Sequence, residues 1–89
     1  QKNYLEILSP LDKSIFKINN DIPIENQNIS LELKTNINYD YLKWFLNWKI
    51  INDNKINLKE LTKNNEIKIE LYRNNTLILS QTSSIQLSK

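Results

Sequence analysis

Apolar and polar residues alternate along most of this chain, and a period of two is what a strand buried on one face demands. Glu66-Ile67-Lys68-Ile69-Glu70-Leu71 is the clearest case, with Ile67, Ile69 and Leu71 on one face. Ile29-Ser30-Leu31-Glu32-Leu33 repeats the pattern, with Ile29, Leu31 and Leu33 inward. In the stretch Tyr41-Leu42-Lys43-Trp44-Phe45-Leu46, residues Leu42, Trp44 and Leu46 share one face, while Lys43, Phe45 and the following Asn47 share the other. Residues 4–8 and 15–18 read as two earlier strands. Another begins at Ile56-Asn57-Leu58 and makes its last core contact at Leu61. Residues 76–87 form the last strand, where Thr82-Ser83-Ser84 is expected to bulge before Ile85 and Leu87. Leu58 to Glu66 admits one competing helical turn.

Punctuation between these runs is regular. Ser9-Pro10 stops the first strand, Leu11-Asp12-Lys13 turns the chain, and the polar residues 19–27, with Pro23, form a connection. Asn52-Asp53-Asn54, Lys63-Asn64-Asn65 and Arg73-Asn74-Asn75 supply further turns. About seven short strands at this spacing predict a single all-β domain over residues 1–89, an aligned antiparallel sandwich.

Glycine is absent, which excludes phosphate-cradling loops and dinucleotide fingerprints. Turns that need a positive φ are then expected to use Asn or Asp, the next most tolerant residue types. The abundance of Asn, Ile and Lys also fits a genome biased towards A and T. Without Cys or His there is no disulfide framework, no thiolate or imidazole metal site and no neutral-pH proton shuttle. No cofactor or metal site is expected. Twelve basic residues oppose ten acidic ones without a basic cluster, and Arg73 is the only arginine, so no nucleic-acid surface is expected. No apolar run approaches the roughly 18 residues of a membrane span. Gln1-Lys2 does not begin a signal peptide, so the chain reads as a domain excised from a larger protein, with any anchor or export signal upstream.

The candidate chemistries fail one by one. Glu66 and Glu70 share a strand face, but four residues at ~3.3 Å each separate them by roughly 13 Å. Glycoside-cleaving carboxylates sit about 5–9.5 Å apart. With Lys68 between them, the pair reads as a solvated face of alternating charge. Asp53 between two Asn residues lacks the ligand set of a calcium loop and reads as a turn. Ser14 and Lys17 have the Ser-x-x-Lys spacing, but on a strand they point to opposite faces. No catalytic residue is therefore expected. Aromatic residues remain: Trp44 as core, and Trp48, Phe45 and Tyr41 as candidates for a binding surface.

Two segments carry a family resemblance. Ile7-Leu8-Ser9-Pro10-Leu11-Asp12-Lys13-Ser14-Ile15-Phe16 resembles an opening motif Ile-x-x-Pro-x-(Asp/Asn)-Gly-Ser-x-(Phe/Ile). Trp44-Phe45-Leu46-Asn47-Trp48-Lys49-Ile50-Ile51 resembles a central Trp-x-(Leu/Val)-(Asn/Asp)-Gly-x-x-Ile. Both motifs, and a closing pair of strands like residues 66–87, are those of the C-terminal domain of bifunctional class A penicillin-binding proteins of the 1C type. Every family Gly is replaced, with Lys13 and Trp48 at the two motif positions. The turn at Trp48 is therefore expected either to change its geometry or to place Asn47 in the left-handed region.

The resemblance implies an immunoglobulin-like, non-catalytic accessory domain outside the cytoplasmic membrane. It would follow the glycosyltransferase and transpeptidase domains of a membrane-anchored peptidoglycan synthase. Its partners would be those upstream domains and peptidoglycan or another envelope protein. The family's catalytic residues belong to the upstream domains, so none carries over. The alternative is an immunoglobulin-like adhesion or carbohydrate-binding module of another exported protein.

Overall fold

Ile67, Ile69 and Leu71, the three apolar positions of the clearest alternation, are wholly buried. The computed structural model describes residues 2–88; Gln1 and Lys89 lie outside them. Among the described residues the strands are β1 (Leu5–Ser9), β2 (Ser14–Lys17), β3 (Asn28–Ser30), β4 (Glu32–Thr35), β5 (Tyr41–Leu46), β6 (Lys49–Ile51), β7 (Lys55–Asn57), β8 (Asn64–Arg73) and β9 (Thr76–Ser88). One layer is a 5-stranded sheet in the order β2-β9-β8-β5-β6. Its partner layer is built from the pairs β1-β4 and β3-β7, which are joined because only Leu31 separates β3 from β4.

β1 and β2 are two halves of one edge strand that crosses from one layer to the other at Pro10. β3 and β4 are likewise halves of a second strand. Counted that way there are seven strands, and the architecture is the expected immunoglobulin-like sandwich. Every pairing is antiparallel except β2 with β9, where Ser14 lies opposite Ile85 and Lys17 opposite Ser88 in a parallel ladder. No helix of the described residues is long and apolar enough to cross a membrane.

Leu5, Ile29, Leu31, Ile56 and Leu58 from one layer meet Trp44, Ile67, Ile69, Leu71 and Ile85 from the other. Full burial of a single Ile or Leu side chain contributes about 1.5–3 kcal/mol, so this cluster is the main source of stability. Trp44 is 5% exposed and spans the two layers as expected.

Three details depart from the sequence reading. The Asn64-Asn65 pair does not turn the chain but opens β8, and the connection is made by residues 61–63. Asn65 is buried and holds that connection from inside the strand. Its Oδ1 accepts hydrogen bonds from the Thr62 backbone N–H at 2.8 Å and from Asn47 Nδ2 at 3.0 Å. Its Nδ2 donates to the Thr62 carbonyl at 2.7 Å. The bulge falls at Ile78, between the pairs Leu71↔Leu79 and Tyr72↔Leu77, instead of at Thr82-Ser83-Ser84. Ser83 stays in register opposite Ile67 because its buried hydroxyl donates to the Pro10 carbonyl at 2.9 Å, which removes the cost of a polar group facing the core. Finally, β7 ends at Asn57, and Leu58–Glu60 forms the helical turn that the sequence admitted there, fixed by a capping box between Asn57 and Glu60. Leu58 and Leu61 both remain in the core.

Asn65→Ala strands the donors and the acceptor of the 61–63 connection at once. The expected loss is about 2–3 kcal/mol, read by urea unfolding. A loss below about 0.5 kcal/mol would show that the connection is held by something else.

Candidate interaction surface

The register of β5 against β8 decides which side chains share the solvent-facing side of the 5-stranded sheet. Trp44 lies opposite Ile69 on the core side. The pairs Tyr41↔Tyr72, Lys43↔Glu70 and Phe45↔Lys68 therefore project outward together. The Tyr41 and Tyr72 rings stack with centroids 5.0 Å apart and planes 8° from parallel. The Lys43 ammonium lies 4.8 Å from the Tyr72 ring centre, while the Lys68 ammonium lies 5.7 Å from Phe45 and 5.2 Å from Trp48. All three sequence candidates, Trp48, Phe45 and Tyr41, thus lie on one face. Lys68 closes over Phe45 and Trp48, while Tyr41 is held by its stack on Tyr72, which Lys43 covers.

Glu70 sits between the two lysines and is buried, not solvated as its alternating neighbourhood suggested. Tyr72 Oη donates to Glu70 Oε1 at 2.6 Å, and Lys68 Nζ lies 2.9 Å from Oε2. Burial pushes its carboxyl up. The hydrogen bonds from Tyr72 and Lys68 and the charges of Lys68 and Lys43 outweigh that, so the group titrates below its ordinary 4.5. The same Tyr72–Glu70 hydrogen bond, followed by desolvation and the neighbouring charge, raises the Tyr72 phenol above its ordinary 10.0. With both oxygens engaged, Glu70 orders the sheet face and is not poised to take a proton from a substrate.

Trp48 remains far more exposed than Tyr41 even with Lys68 over its ring. Leu46 pairs with Lys49, leaving Asn47-Trp48 as a two-residue hairpin turn with φ of 48° and 72°. Positive φ at both central residues is the type I′ form, which matches the twist of paired strands. Asn47 takes the left-handed conformation as expected, but Trp48 does so too. Lys13, with φ 67°, is a second departure from the expectation that only Asn or Asp would fill such positions.

The Asn47-Trp48 turn is forced by its neighbours. Asn47 donates its backbone N–H to the Glu66 carbonyl at 2.9 Å, and its Oδ1 accepts from the Glu66 N–H at 2.8 Å. Asn47 Nδ2 reaches Asn65, as described above. β8 therefore clamps the turn from the side, and Trp48 has no other conformation to take. Trp48 is 70% exposed, and Ile50, two residues on, is 52% exposed.

Tyr72, Lys43 and Ile50 were not singled out from the sequence as surface candidates, and Glu70 and Lys68 were read only as part of a solvated face of alternating charge. Their alternation showed that they face outward, but only the cross-strand register brings them against the aromatics. A groove of about 740 Å³ runs between the β6 and β7 sides of the sandwich, lined in part by Asn47, Lys49, Asn52, Asn57 and Glu60. Asn57 and Glu60 are committed to the capping box and Asn47 to β8, so its polar lining mostly serves the fold. Among the described residues no three His, Cys, Asp or Glu side chains gather as metal ligands would. No protein-family model, curated protein or solved structure matches the chain.

Two measurements check this geometry. Trp48→Gly relieves a left-handed backbone cost of about 1–2 kcal/mol while freeing the unfolded chain and losing the Lys68 contact. Stability by urea unfolding is expected to stay within about 1 kcal/mol of wild type, whereas Trp44→Ala is expected to lose about 3–5 kcal/mol. The second is pH dependence. Because the folded pKa of Glu70 lies below the unfolded one, its contribution is complete above the unfolded value near 4.5 and is lost as pH falls through the folded value. Wild type is therefore expected to be more stable than Glu70→Gln at neutral pH. The two unfolding midpoints should converge on acidification below that range, and a constant gap down to pH 2 would remove the ionised carboxylate as the cause.

Proposed function

We propose that this domain is a non-catalytic interaction module that positions a larger envelope protein by docking on a partner through Trp48 and the apolar residues around it. The observation that carries this reading is the conformation of Trp48. A bulky residue sits in the left-handed region with most of its indole in water, so it contributes little to the fold in return for its cost. Strain of this kind is kept where a side chain is needed for something outside the fold. Large aromatic side chains are the usual anchors of protein contacts.

The neighbouring rings favour a protein partner over a sugar platform. Tyr72 has Tyr41 stacked on it and Lys43 over its ring, and Lys68 lies over Phe45. A row of free ring faces, which a polysaccharide would stack on, is not what this sheet offers.

The setting we propose is the one implied by the resemblance: an accessory domain of a membrane-anchored penicillin-binding protein, acting outside the cytoplasmic membrane beside the catalytic domains. Backbone geometry supports it at the two positions where the motifs depart. Lys13 and Trp48 both stand where the family has Gly, and both have positive φ, the conformation that Gly best tolerates.

The test compares wild type with Trp48→Ala for binding to solubilised envelope proteins and to isolated peptidoglycan. A partner protein retained by wild type, and bound about tenfold or more weakly by Trp48→Ala with the fold intact, is the expected result. Equal binding by the two chains, or unfolding of the variant, would sink the reading. Retention by peptidoglycan alone would replace it with the carbohydrate-binding alternative.

A further inference from the structure

β6 ends the 5-stranded sheet, and its backbone is only half used. Leu46↔Lys49 closes the two-residue turn and exchanges hydrogen bonds across it. Bonded and non-bonded pairs alternate along an antiparallel ladder, so Trp44↔Ile51 is bonded and Phe45↔Ile50 is not. The Ile50 N–H and C=O therefore point away from β5, and neither has a backbone partner among the described residues. A free N–H and a free C=O on one residue, facing the same way, are self-complementary. A second β6 laid antiparallel on this edge about a two-fold axis gives Ile50 both partners at once.

The side chains beside these groups suit the same operation. Ile50 lies opposite Phe45 and so shares the outward face with Trp48, whose ring is covered only by Lys68. With Ile50 facing Ile50 of a second copy, Trp48 stands opposite Asn52 of that copy. Trp48 is then diagonal to the second Ile50, roughly 7–8 Å away between backbones and within reach of an indole. Trp48 and Ile50, 70% and 52% exposed, lose water in the contact that pairs the backbone.

Charge on the other side of the edge also fits a second copy. The groove between β6 and β7 is lined by Lys49 and Lys55 and by Asp53 and Glu60, two charges of each sign. None of the four is within ion-pair distance of an opposite charge among the described residues. A lysine at a sheet edge ordinarily discourages a further strand. Here Lys49 faces Ile51 of the second copy, followed by the turn that carries Asp53. The same two-fold operation thus supplies an acid to each Lys49. A lining of one sign would repel its own copy.

We propose, resting on the Trp48 docking reading above, that the partner is a second copy of this chain, joined β6 to β6 with the two-fold axis at Ile50. The two 5-stranded sheets become one continuous sheet, with the Trp48 and Ile50 pairs packed across the seam. A three-residue edge strand makes a contact at the low end of interface sizes, under about 1,200 Å² in total, so the dimer is weak and concentration-dependent.

The test is sedimentation of the 89-residue chain from about 10 μM to about 1 mM, the range in which weak self-association is read. A monomer–dimer equilibrium is expected, with amide shifts on dilution centred on residues 48–53. Trp48→Ala should weaken the dimer at least tenfold. So should Ile50→Pro, which removes an N–H that the monomer does not use. Lys49→Glu and Asp53→Lys should each weaken it at least threefold, and an equimolar mixture of the two should associate as wild type does, because the exchanged charges then meet across the axis. That rescue is a readout that loss of fold cannot produce. Species larger than a dimer, dimerisation unchanged in Trp48→Ala, or no rescue in the mixture would overturn the proposal. A chain that stays monomeric to the top of the range while retaining an envelope protein through Trp48 would overturn the second copy and leave the docking reading standing.

Discussion

Strand β8 is the constraint on which the rest of the molecule depends. It is paired with β9 from Asn64 to Arg73 and with β5 from Ile67 to Tyr72, so most of its backbone groups are satisfied within the sheet. Its inward residues Ile67, Ile69 and Leu71 have no solvent exposure and form the middle of the core. Its first residues also act outside the ladder. Asn65 fixes the connection that precedes the strand, and Glu66 gives both backbone groups to Asn47, which shapes the β5–β6 turn. Its outward residues Lys68, Glu70 and Tyr72 order the aromatic face, and its last residue, Arg73, holds the loop at the far end. One ten-residue strand thus joins the core, one turn, the aromatic face and the loop at the far end. A change in its register would move all of them at once.

The alternation of β8 was legible because a period of two survives in any strand with one buried face. The same holds for Ile29, Leu31 and Leu33, and for Trp44. The polar residues were misjudged where their side chains replace backbone hydrogen bonds. Asn64-Asn65 carries a turn signature, yet Asn65 is drawn into the strand because its amide can close the preceding connection from inside. Ser83 reads as a break in an apolar run, yet its hydroxyl is satisfied by Pro10, 73 residues away in sequence. Such partners lie across the sandwich, and no local pattern reports them. The solvent-facing surface was half legible for the same reason. Phe45 and Tyr41 were placed outward by alternation, while Tyr72 and Lys68 acquire their meaning only from pairing across strands.

Burial and charge explain why the aromatic face is ordered rather than loosely apolar. Two lysines on a sheet face would repel one another and leave their stems free. Here their stems run beside rings, and their ammonium groups lie either side of one buried carboxylate. The stacked tyrosines and the cation–ring contacts are each worth roughly 0.5–1.5 kcal/mol. Their larger effect is to fix rotamers, so that Trp48 stands at the margin of a rigid surface. A ring held against such a surface loses little freedom on binding, which is the condition for one residue to act as an anchor.

The absence of glycine gives that argument its force. Lys13, Asn47, Trp48, Asn74 and Asn75 all have positive φ, and the three asparagines there are the residues that tolerate it best after Gly. Lys13 is held by its own N–H on the Ser84 carbonyl and by Asp12 accepting from the Ser84 N–H, so β9 enforces that turn as β8 enforces the other. A solvated lysine at such a position costs only its backbone strain. Trp48 adds to the strain the exposure of a large apolar ring, although asparagine would serve the turn with neither cost, as it does in the Asn74-Asn75 turn. Both turns have the same form and are flanked by paired strands of one sheet. The fold therefore does not explain the tryptophan, and the contrast between two equivalent turns directs attention to what Trp48 meets outside the molecule.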